Sequence, residues 1–530
     1  RGSQGQLFSE RGGVLVVDRK WWTLIAVSIG TFMLLLDITI VNVALPRIQA
    51  GLHSSFTDLQ WVIDAYALTL AALLLTAGSL ADRVGRRLIF AIGLVVFSAS
   101  SLLCGVAQSP LMLNISRGVQ GVGGAMMFAT SLALLGHAYR GRDRGVAFAV
   151  WGAVTGAAVS IGPVVGGGLT QGLSWRWIFL VNVPIGIAAL ALTLMKLEES
   201  RAPQSARLDV PGFVVFTAAL ATLVFGLIES SLDGWGSGTV EGCLIASGVM
   251  IVVFVVIELR TAAPMLDLAL FRVPAFAGAA IVAFAVSASI FSMFLYLTLY
   301  LQDVLDLSPL QAGLRFLTLS GVILVAAAIA GRLTTVVPVR LLMGVGLLVS
   351  GVSLMLMRGL SVSSHWTHLL PGLLVGGLGI GMINPPLAST AIAVVPPRKA
   401  GMGSGINSTF RQVGIATGIA ALGSIFTSEI RSHVTAGLHA AHLGGAAALT
   451  HAISNGQTAA AIGHLPVATR AAVGEVARAS FIASLNDLFL IAAVAAFVGA
   501  VGALVLIRSR DFVAQGTHAS GEAAVEPVGV

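Results

Sequence analysis

The feature that most limits what this chain can fold into is its series of long apolar runs, separated by short polar segments. A helix of about 20 apolar residues spans the hydrocarbon core of a bilayer and satisfies its backbone hydrogen bonds internally. Charged residues make up 10% of the chain, whereas water-soluble domains carry roughly 25%. The sequence therefore predicts a helical integral membrane protein.

Fourteen runs are long enough to span a membrane. The first contains Asp37 and leads directly into further apolar sequence, which argues against a cleaved signal peptide. The predicted spans lie near 21–45, 58–80, 88–107, 111–138, 145–169, 175–196, 208–229, 240–260, 274–302, 308–331, 336–358, 366–396, 401–430 and 481–508. An even number of spans places both termini on the same side of the membrane.

The basic residues indicate which side that is. Lys and Arg concentrate in the loops on the side of the termini, while the other side holds Arg47, Arg176, Arg358, Arg431, Arg470 and Arg478. The last of these loops, near 431–480, is long, and the positive-inside rule is weak for long loops. We therefore predict cytoplasmic termini. The richness in Ala, Gly and Val, with few lysines, suggests a high-GC bacterial source, so the expected location of this membrane protein is a bacterial inner membrane.

An internal repeat predicts the architecture. Residues 78–93 align without gaps with residues 331–346, an offset of 331 − 78 = 253, and Ser55 aligns with Ser308 at the same offset. Two six-helix halves separated by an inserted two-helix hairpin account for this displacement. Parallel six-helix repeats are the layout of major facilitator transporters, whose substrate site lies at mid-membrane between the halves.

The expected fold class is an all-α membrane protein with the major facilitator fold. It would contain fourteen transmembrane helices, arranged as two six-helix bundles plus the inserted hairpin. The expected divisions are an N-terminal cytoplasmic segment at 1–20, a first bundle at 21–196, the hairpin at 197–273, a second bundle at 274–508 with its long outer loop at 431–480, and a cytoplasmic tail at 509–530.

Several functional classes lack the residues that they need. A Gly-x4-Gly-Lys-Ser/Thr loop, a His-Glu-x-x-His motif and a Cys-x-x-Cys motif are all absent from the sequence. Cys104 and Cys243 lie in apolar runs, where they are expected to be small buried hydrophobes. We therefore predict no enzyme activity, no cofactor, no metal site and no nucleic-acid partner. Uphill transport would have to be driven by an ion gradient.

Ionisable side chains inside the spans are the candidate functional groups, because a charge is costly to bury in a membrane. Asp37 lies in the first span, Asp64 in the second, Arg117 in the fourth and Arg411 in the thirteenth. Helical spacing adds neighbours on the same faces; these are Gln60 and Trp61 beside Asp64, and Gln120 beside Arg117.

Two roles are open for the aspartates. A carboxylate that is shielded from water holds a proton more readily, and a cationic cargo could compete with that proton for the same negative charge. Asp37, Asp64 or both would then couple export to proton entry. In the alternative, one of them forms a permanent ion pair with Arg117, which needs a partner when buried.

The motifs of the chain, taken in order, resemble the fourteen-span drug:proton antiporter family of the major facilitator superfamily. The stretch LDITIVNVALP at 36–46, which contains Asp37 and Asn42, looks like that family's first-span motif. The stretch LNISRGVQGVG at 113–123 resembles the fourth-span motif, whose arginine (here Arg117) is implicated in proton relay. The resemblance covers nearly the whole chain, including the hairpin.

Two further motifs imply roles in conformational change. The loop GSLADRVGRR at 78–87 is similar to the superfamily's cytoplasmic loop motif, whose charges hold the two halves together. Small residues in the fifth span resemble the motif that distinguishes antiporters from importers. The residues concerned are Gly78, Asp82, Arg83, Gly85, Arg86 and Arg87 in the loop, and Gly152, Gly156, Gly162, Pro163, Gly166 and Gly167 in the span. The second-half copy of the loop has Thr335 in place of Asp82.

Together these features predict a monomeric, proton-coupled exporter of amphipathic, cationic small molecules, of the multidrug-efflux type. Its partners would be protons, the lipid bilayer and a small-molecule or lipid-like cargo. Proton coupling would involve Asp37, Asp64 and Arg117. Cargo would contact Asp37, Asn42, Gln60, Trp61, Asp64, Tyr66, Gln120, Phe291, Phe294, Tyr296 and Arg411, with the aromatic rings supplying cation–π surface.

Other interpretations stay open. Each aromatic side chain can equally serve ordinary packing. The second half lacks deep acids, which leaves room for a dedicated exporter of one metabolite, antibiotic, siderophore or lipid. A transporter-like receptor or scaffold is a further alternative.

Overall fold

The fold is given by a computed structural model, which describes residues 8–11, 14–17, 19–139, 141–201, 209–262, 264–334, 336–395, 400–442, 446–454, 462–463, 465–508 and 511. Thr335 and most of the predicted tail at 509–530 lie outside the described residues.

The described elements are almost all helical. An antiparallel hairpin, which the sequence did not predict, precedes them; in it β1 (Phe8–Arg11) pairs with β2 (Val14–Val17). The helices are α1 (Arg19–Leu52), α2 (Phe56–Val84), α3 (Arg86–Gly105), α4 (Pro110–Ala138), α5 (Gly141–Gly172), α6 (Trp177–Leu180), α7 (Asn182–Lys196), α8 (Val210–Asp233), α9 (Gly238–Arg260), α10 (Pro274–Val286), α11 (Ser292–Leu299), α12 (Pro309–Leu333), α13 (Val339–Met357), α14 (Leu370–Ala393), α15 (Ala400–Ala440), α16 (Ala446–Ser454) and α17 (Val467–Leu506). Short 3₁₀ turns lie at Leu268–Arg272 and Trp366–Leu369, and π-helical turns at Ser287–Phe291 and Tyr300–Val304.

Fourteen helical segments among the described residues are long and apolar enough to cross a membrane, as the sequence predicted. The sixth span joins α6 and α7, and the ninth runs from α10 through both π-helical turns to Val304. We call the side on which α1 begins and α17 ends the terminal face, and the other side the opposite face. The predicted all-α membrane fold is confirmed for the bundle.

The helix boundaries reproduce the predicted repeat. α2 begins at Phe56 and α12 at Pro309, an offset of 309 − 56 = 253, and α3 and α13 begin at Arg86 and Val339, again 339 − 86 = 253. Ser55 and Ser308 each cap the helix that follows through a reciprocal capping box, with Asp58 and Gln311 respectively. The capping box satisfies backbone donors at the helix start, so the repeat is one of structure as well as sequence.

The two halves meet along two seams, where α2 packs against α15 and α5 packs against α12. The hairpin of α8 and α9 lies against the first of these seams, because α8 contacts both α2 and α15. Leu68 of α2, Leu220 of α8 and Ala416 of α15 belong to one buried apolar cluster there. The hairpin therefore covers the α2–α15 seam, and no described element covers the α5–α12 seam in the same way.

The long loop predicted at 431–480 is largely helical. α15 continues to Ala440, α16 follows, and α17 begins at Val467, ahead of the predicted span start at 481. The two long helices thus project beyond the membrane-spanning length on the opposite face.

Candidate functional site

Asp37 is the centre of a buried polar network in the first half. Its Oδ2 lies 2.6 Å from Nη1 of Arg117, and both side chains are essentially inaccessible to solvent. Its Oδ1 accepts hydrogen bonds from Nε2 of Gln120 at 2.9 Å and from Nδ2 of Asn182 at 3.0 Å. Both carboxylate oxygens of Asp37 are therefore occupied by donors.

Arg117 is held equally firmly. Its Nε donates to the carbonyl of Val62 at 2.9 Å, its Nη1 also reaches Oε1 of Gln120 at 2.6 Å, and its guanidinium lies 4.3 Å from the ring centre of Tyr66. These contacts tie α4 to α1 and α2. Burial of a charge pair is tolerable when hydrogen bonds and an opposite charge replace water, and this network meets that condition.

Two members of the network were missed by the sequence reasoning. Asn182 opens α7, and Ser101 of α3 accepts hydrogen bonds from Gln120 at 2.7 Å and Asn182 at 3.4 Å. Both are neutral, and neither shares a helix with the buried charges from which the candidate residues were chosen. The available signal was a polar residue inside an apolar run, in the motif WRWIFLVNVP at 175–184.

Asp64 differs from Asp37 in its hydrogen-bonding surroundings. Its side chain is fully buried, and neither carboxylate oxygen has a hydrogen-bond donor among the described protein atoms. Asp64 also lies within electrostatic range of Tyr296 of α11 in the second half. The structure thus distinguishes the two aspartates. Asp37 is paired with Arg117, whereas Asp64, near the seam between the halves, has no hydrogen-bond partner in the described part of the chain.

Gln60 lies one turn from Asp64 and contacts the second half directly. Its Nε2 donates to the carbonyl of Ile419 at 3.1 Å, and the hydroxyl of Tyr296 donates to the same carbonyl at 3.3 Å. Closer to the opposite face, the rings of Phe56, Tyr296 and Phe426 pack together with centres 5.2 to 6.0 Å apart. The seam is therefore closed between Asp64 and the opposite face.

The remaining predicted cargo residues of the first half do not all point to this seam. Tyr66 is buried against Arg117. Trp61 packs beside the hairpin with the cluster that contains Leu220. Asn42 donates to the carbonyl of Ile38 in its own helix, at 3.1 Å.

The second half contributes a cation and a group of aromatic rings. Nη1 of Arg411 lies 3.3 Å from Oδ1 of Asn384, and its guanidinium is 5.7 Å from the ring centre of Phe291. Phe291 ends a π-helical turn and stacks on Phe294 at 6.0 Å. Asn384, on α14, is a polar neighbour that the sequence reasoning did not single out.

The loop motif at 78–87 contacts its own residues, α4, α7 and the segment that follows α7. Asp82 pairs with Arg86 at 2.8 Å, while Glu199 accepts hydrogen bonds from the backbone amides of Arg87 and Leu88 at the start of α3. Gly85 has a φ of +142°, and a Cβ on it would lie 2.6 Å from the Glu199 carboxyl carbon. Glycine is required here by both backbone conformation and space. Arg83 is exposed, and Gly78 lies beside Ala129.

The small residues of the fifth-span motif face two neighbouring helices, α1 and α12. A Cβ on Gly162 or Gly166 would collide with Thr39 or Ile40 of α1, and one on Gly167 would collide with Pro309 at the start of α12. On the other side of this contact, a Cβ on Gly313 would lie 2.2 Å from the carbonyl oxygen of Pro163. Towards the terminal face there is more room; a Cβ on Gly156 would meet only Leu324, at 3.4 Å, and one on Gly152 would meet nothing within 4 Å.

Comparison with known proteins places this arrangement in a family. Residues 27–419 match the family model described as Major Facilitator Superfamily. The chain is 34% identical to the tetracenomycin C resistance and export protein of Streptomyces glaucescens, over 92% of this chain and 91% of that protein. It is 36% identical to the puromycin resistance protein of Streptomyces alboniger, over 78% and 84% of the two chains. It is also 36% identical to the multidrug resistance protein Stp of Mycobacterium tuberculosis, over 77% and 76%.

Solved structures agree at the level of the fold. The crystal structure of a bacterial homolog of the human lysosomal transporter Spinster, in an inward-facing and unoccupied conformation, matches with a TM-score of 0.58 and 17% identity, covering 94% of this chain and 100% of that one. The family model spans most of the chain, and the three relatives named above match the chain over 76 to 91% of their own lengths. The chain therefore belongs to the Major Facilitator Superfamily, which confirms the resemblance carried by its motifs.

Proposed function

We propose that the protein is a proton-coupled exporter of amphipathic, cationic small molecules, with Asp64 as the group that alternates between a proton and the cargo. The observation that carries this proposal is the contrast between the two buried aspartates. Asp37 is neutralised by Arg117 and two amide donors, whereas Asp64 has none of these partners.

The energetics favour Asp64 for exchange. An ionised carboxylate without partners is very costly to bury, and a bound proton or a bound cation relieves that cost. Each occupant therefore stabilises the same site, and both cannot occupy it together. Competition of this kind couples cargo release to proton uptake without any further energy source.

Asp37, Arg117 and Gln120 would act as a supporting network in this scheme. They join α1, α2 and α4 around the position of Asp64 on α2. Disturbing the network would shift α2, and with it the position of the Asp64 carboxylate relative to the second half. We infer that these residues position the exchange site rather than bind cargo themselves.

The names of the relatives support an export function. Those proteins are named for resistance to puromycin, for resistance to and export of tetracenomycin C, and for multidrug resistance. The single-compound names also favour a second candidate, a dedicated exporter of one antibiotic or metabolite. In both cases, Arg411 and the Phe291–Phe294 pair would form the second-half wall of the cargo path.

The decisive experiment is transport in proteoliposomes under an imposed pH gradient, with cationic dyes and neutral antibiotics as cargo. We expect Asp64→Asn to abolish proton-driven accumulation of cationic cargo. Asp233→Asn removes an exposed carboxylate at the end of α8 and should transport like the unmodified chain. Undiminished proton-driven transport by Asp64→Asn would exclude the exchange role. Transport of a single compound, with every other member of the panel not transported, would favour the dedicated exporter.

We also propose that the terminal face is cytoplasmic in a bacterial inner membrane, on the strength of the loop charges. Val336 on the terminal face and Ser363 on the opposite face are both exposed. In a background without Cys104 and Cys243, an impermeant maleimide added to intact cells should label Ser363→Cys and not Val336→Cys. The reverse pattern would invert the orientation.

A further inference from the structure

Three potential metal ligands converge on the opposite face, away from the exchange site. Glu429 and His433 lie one turn apart on α15, and Asp487 lies on α17. Nε2 of His433 is 3.8 Å from Oε2 of Glu429 and 3.5 Å from Oδ2 of Asp487. All three ligand atoms lie within 4.8 Å of one another, and this is the one such cluster found among the described residues.

These separations suit a shared metal ion better than hydrogen bonds. At Zn–N and Zn–O distances of about 2.0–2.2 Å, two ligands of a tetrahedral ion are about 3.3 Å apart. The two distances from His433, 3.5 and 3.8 Å, are slightly longer than this, and the two carboxylate oxygens lie within 4.8 Å of each other, so side-chain rotations would bring the three ligands onto one ion. One imidazole and two carboxylates form a donor set that accepts divalent transition metals. Three protein ligands would leave a fourth position for water.

The orientation of His433 is a separate indication of a ligand. Its Nε2 is shielded from solvent, faces the two carboxylates and has no hydrogen-bond partner among the described atoms. A shielded polar atom without a hydrogen-bond partner calls for an explanation, and a bound cation is one that fits the two carboxylates beside it.

A second layer of contacts holds Asp487 in place. Nη2 of Arg358 lies 4.0 Å from Oδ1 of Asp487, which leaves Oδ2 directed at His433. The adjacent Asn486 accepts hydrogen bonds from the amides of Gly359 and Leu360 and donates to the carbonyl of Leu360. Outer contacts of this kind fix the direction of metal-binding carboxylates.

We propose that Glu429, His433 and Asp487 form a binding site for a divalent transition-metal ion, with Zn²⁺ as the best-fitting probe. The bound ion would tie α15 to α17 just beyond Phe426, which packs on Phe481 of α17 and on Phe56 of the first half. The metal would therefore stabilise the surface on which the halves close at the opposite face. This site is independent of the transport mechanism proposed above.

The test is isothermal titration of Zn²⁺ into the full chain, purified in detergent with any affinity tag removed. We expect one saturable site per chain, which is lost in His433→Ala and weakened at least tenfold in Asp487→Asn. His439→Ala removes an exposed histidine farther along α15 and should bind Zn²⁺ as the unmodified chain does. Mg²⁺ at the same concentration should not replace Zn²⁺.

A second readout does not depend on heats of binding. Because a ligand that binds the folded state stabilises it, Zn²⁺ should raise the thermal unfolding midpoint of the unmodified chain and of His439→Ala, and leave that of His433→Ala unchanged. Equal Zn²⁺ responses in all three proteins, or no saturable binding by the unmodified chain, would overturn the site.

Discussion

At the scale of single residues, two aspartates that look alike in the sequence have opposite surroundings. Asp37 is surrounded by donors from two other helices, α4 and α7, while Asp64 has none among the described atoms. The cost of burying a charge depends on its partners more than on its depth. The two residues should therefore respond differently to substitution, Asp37 through stability and Asp64 through coupling.

The buried pair of Asp37 and Arg117 gives a stability prediction. Arg117→Met leaves the carboxylate of Asp37 without its charge partner, and breaking a buried pair in this way costs about 3–5 kcal/mol. The thermal unfolding midpoint in detergent should fall accordingly. The double variant Asp37→Asn with Arg117→Met removes both charges and should recover part of that loss. A double variant less stable than Arg117→Met alone would show that the pair is not the source of the effect.

At the scale of helices, the close contact of α5 with α12 depends on residues without side chains. Gly167 and Gly313 allow backbone-to-backbone approach near the opposite face, and Ser160 and Ser320 exchange hydrogen bonds farther along the seam. Small residues at helix interfaces permit this approach in membranes, where packing rather than water exclusion drives association. Towards the terminal face, the same helices expose Val150, Leu324 and Ile329.

A substitution on α12 tests whether this contact is needed for transport. Gly313→Val places a side chain against the carbonyl of Pro163, and overpacking costs about 1–3 kcal/mol. If the strain arises only in the conformation that is closed towards the opposite face, the population of that conformation relative to the open one falls by about 5- to 150-fold. Transport in proteoliposomes should drop by a similar factor.

The matched control lies on the same helix. Gly321 has nothing within 4 Å of its Cβ direction, so Gly321→Val should retain transport. Normal transport by Gly313→Val, or an equal loss in both variants, would indicate that the contact is not a gate.

At the scale of the whole molecule, contacts between the two halves close the structure towards the opposite face. Gln302 donates to the carbonyl of Val43 at 2.7 Å and Leu310 donates to Gln171 at 3.3 Å, both across the halves. In repeat transporters of this kind, alternating access is largely a rigid-body rocking of one half against the other. Export then requires these contacts to break and re-form in each cycle.

A disulfide across the halves should arrest that cycle. In a background without Cys104 and Cys243, the pair Ser160→Cys with Ser320→Cys joins α5 to α12 at positions whose hydroxyls bond each other's backbone. Oxidation should stop transport, and reduction should restore it.

A pair within one half controls for the oxidation itself. A Cβ on Gly186 would lie 3.1 Å from Cβ of Ser98, so Ser98→Cys with Gly186→Cys can form a disulfide without linking the halves. Transport should survive oxidation in that variant. If the cross-half variant still transports cargo when its disulfide is shown to have formed, the halves do not rock about this seam.

Much of the fold was predictable from local chemistry. Apolar runs of sufficient length specify spanning helices because the bilayer offers the backbone no other hydrogen-bond partners. Serine caps specify where α2 and α12 begin, and these two starts are separated by the 253-residue offset of the repeat. The extension of α15 to Ala440 was not predicted as a continuous helix, since a polar, Ala-rich stretch does not distinguish a helix from a loop by its hydropathy.

The sequence by itself determined the number of spans, their pairing as a repeat and the short list of buried charges. The number of spans and the buried charges follow from composition within single segments, and the repeat follows from aligning one segment with another. Only the tertiary structure decided that Arg117 pairs with Asp37, that Asn182 and Ser101 complete that network, and that no described residue hydrogen-bonds to Asp64. The physical reason is that pairing depends on how helices far apart in the chain are rotated and packed against one another, which no periodicity within one helix records.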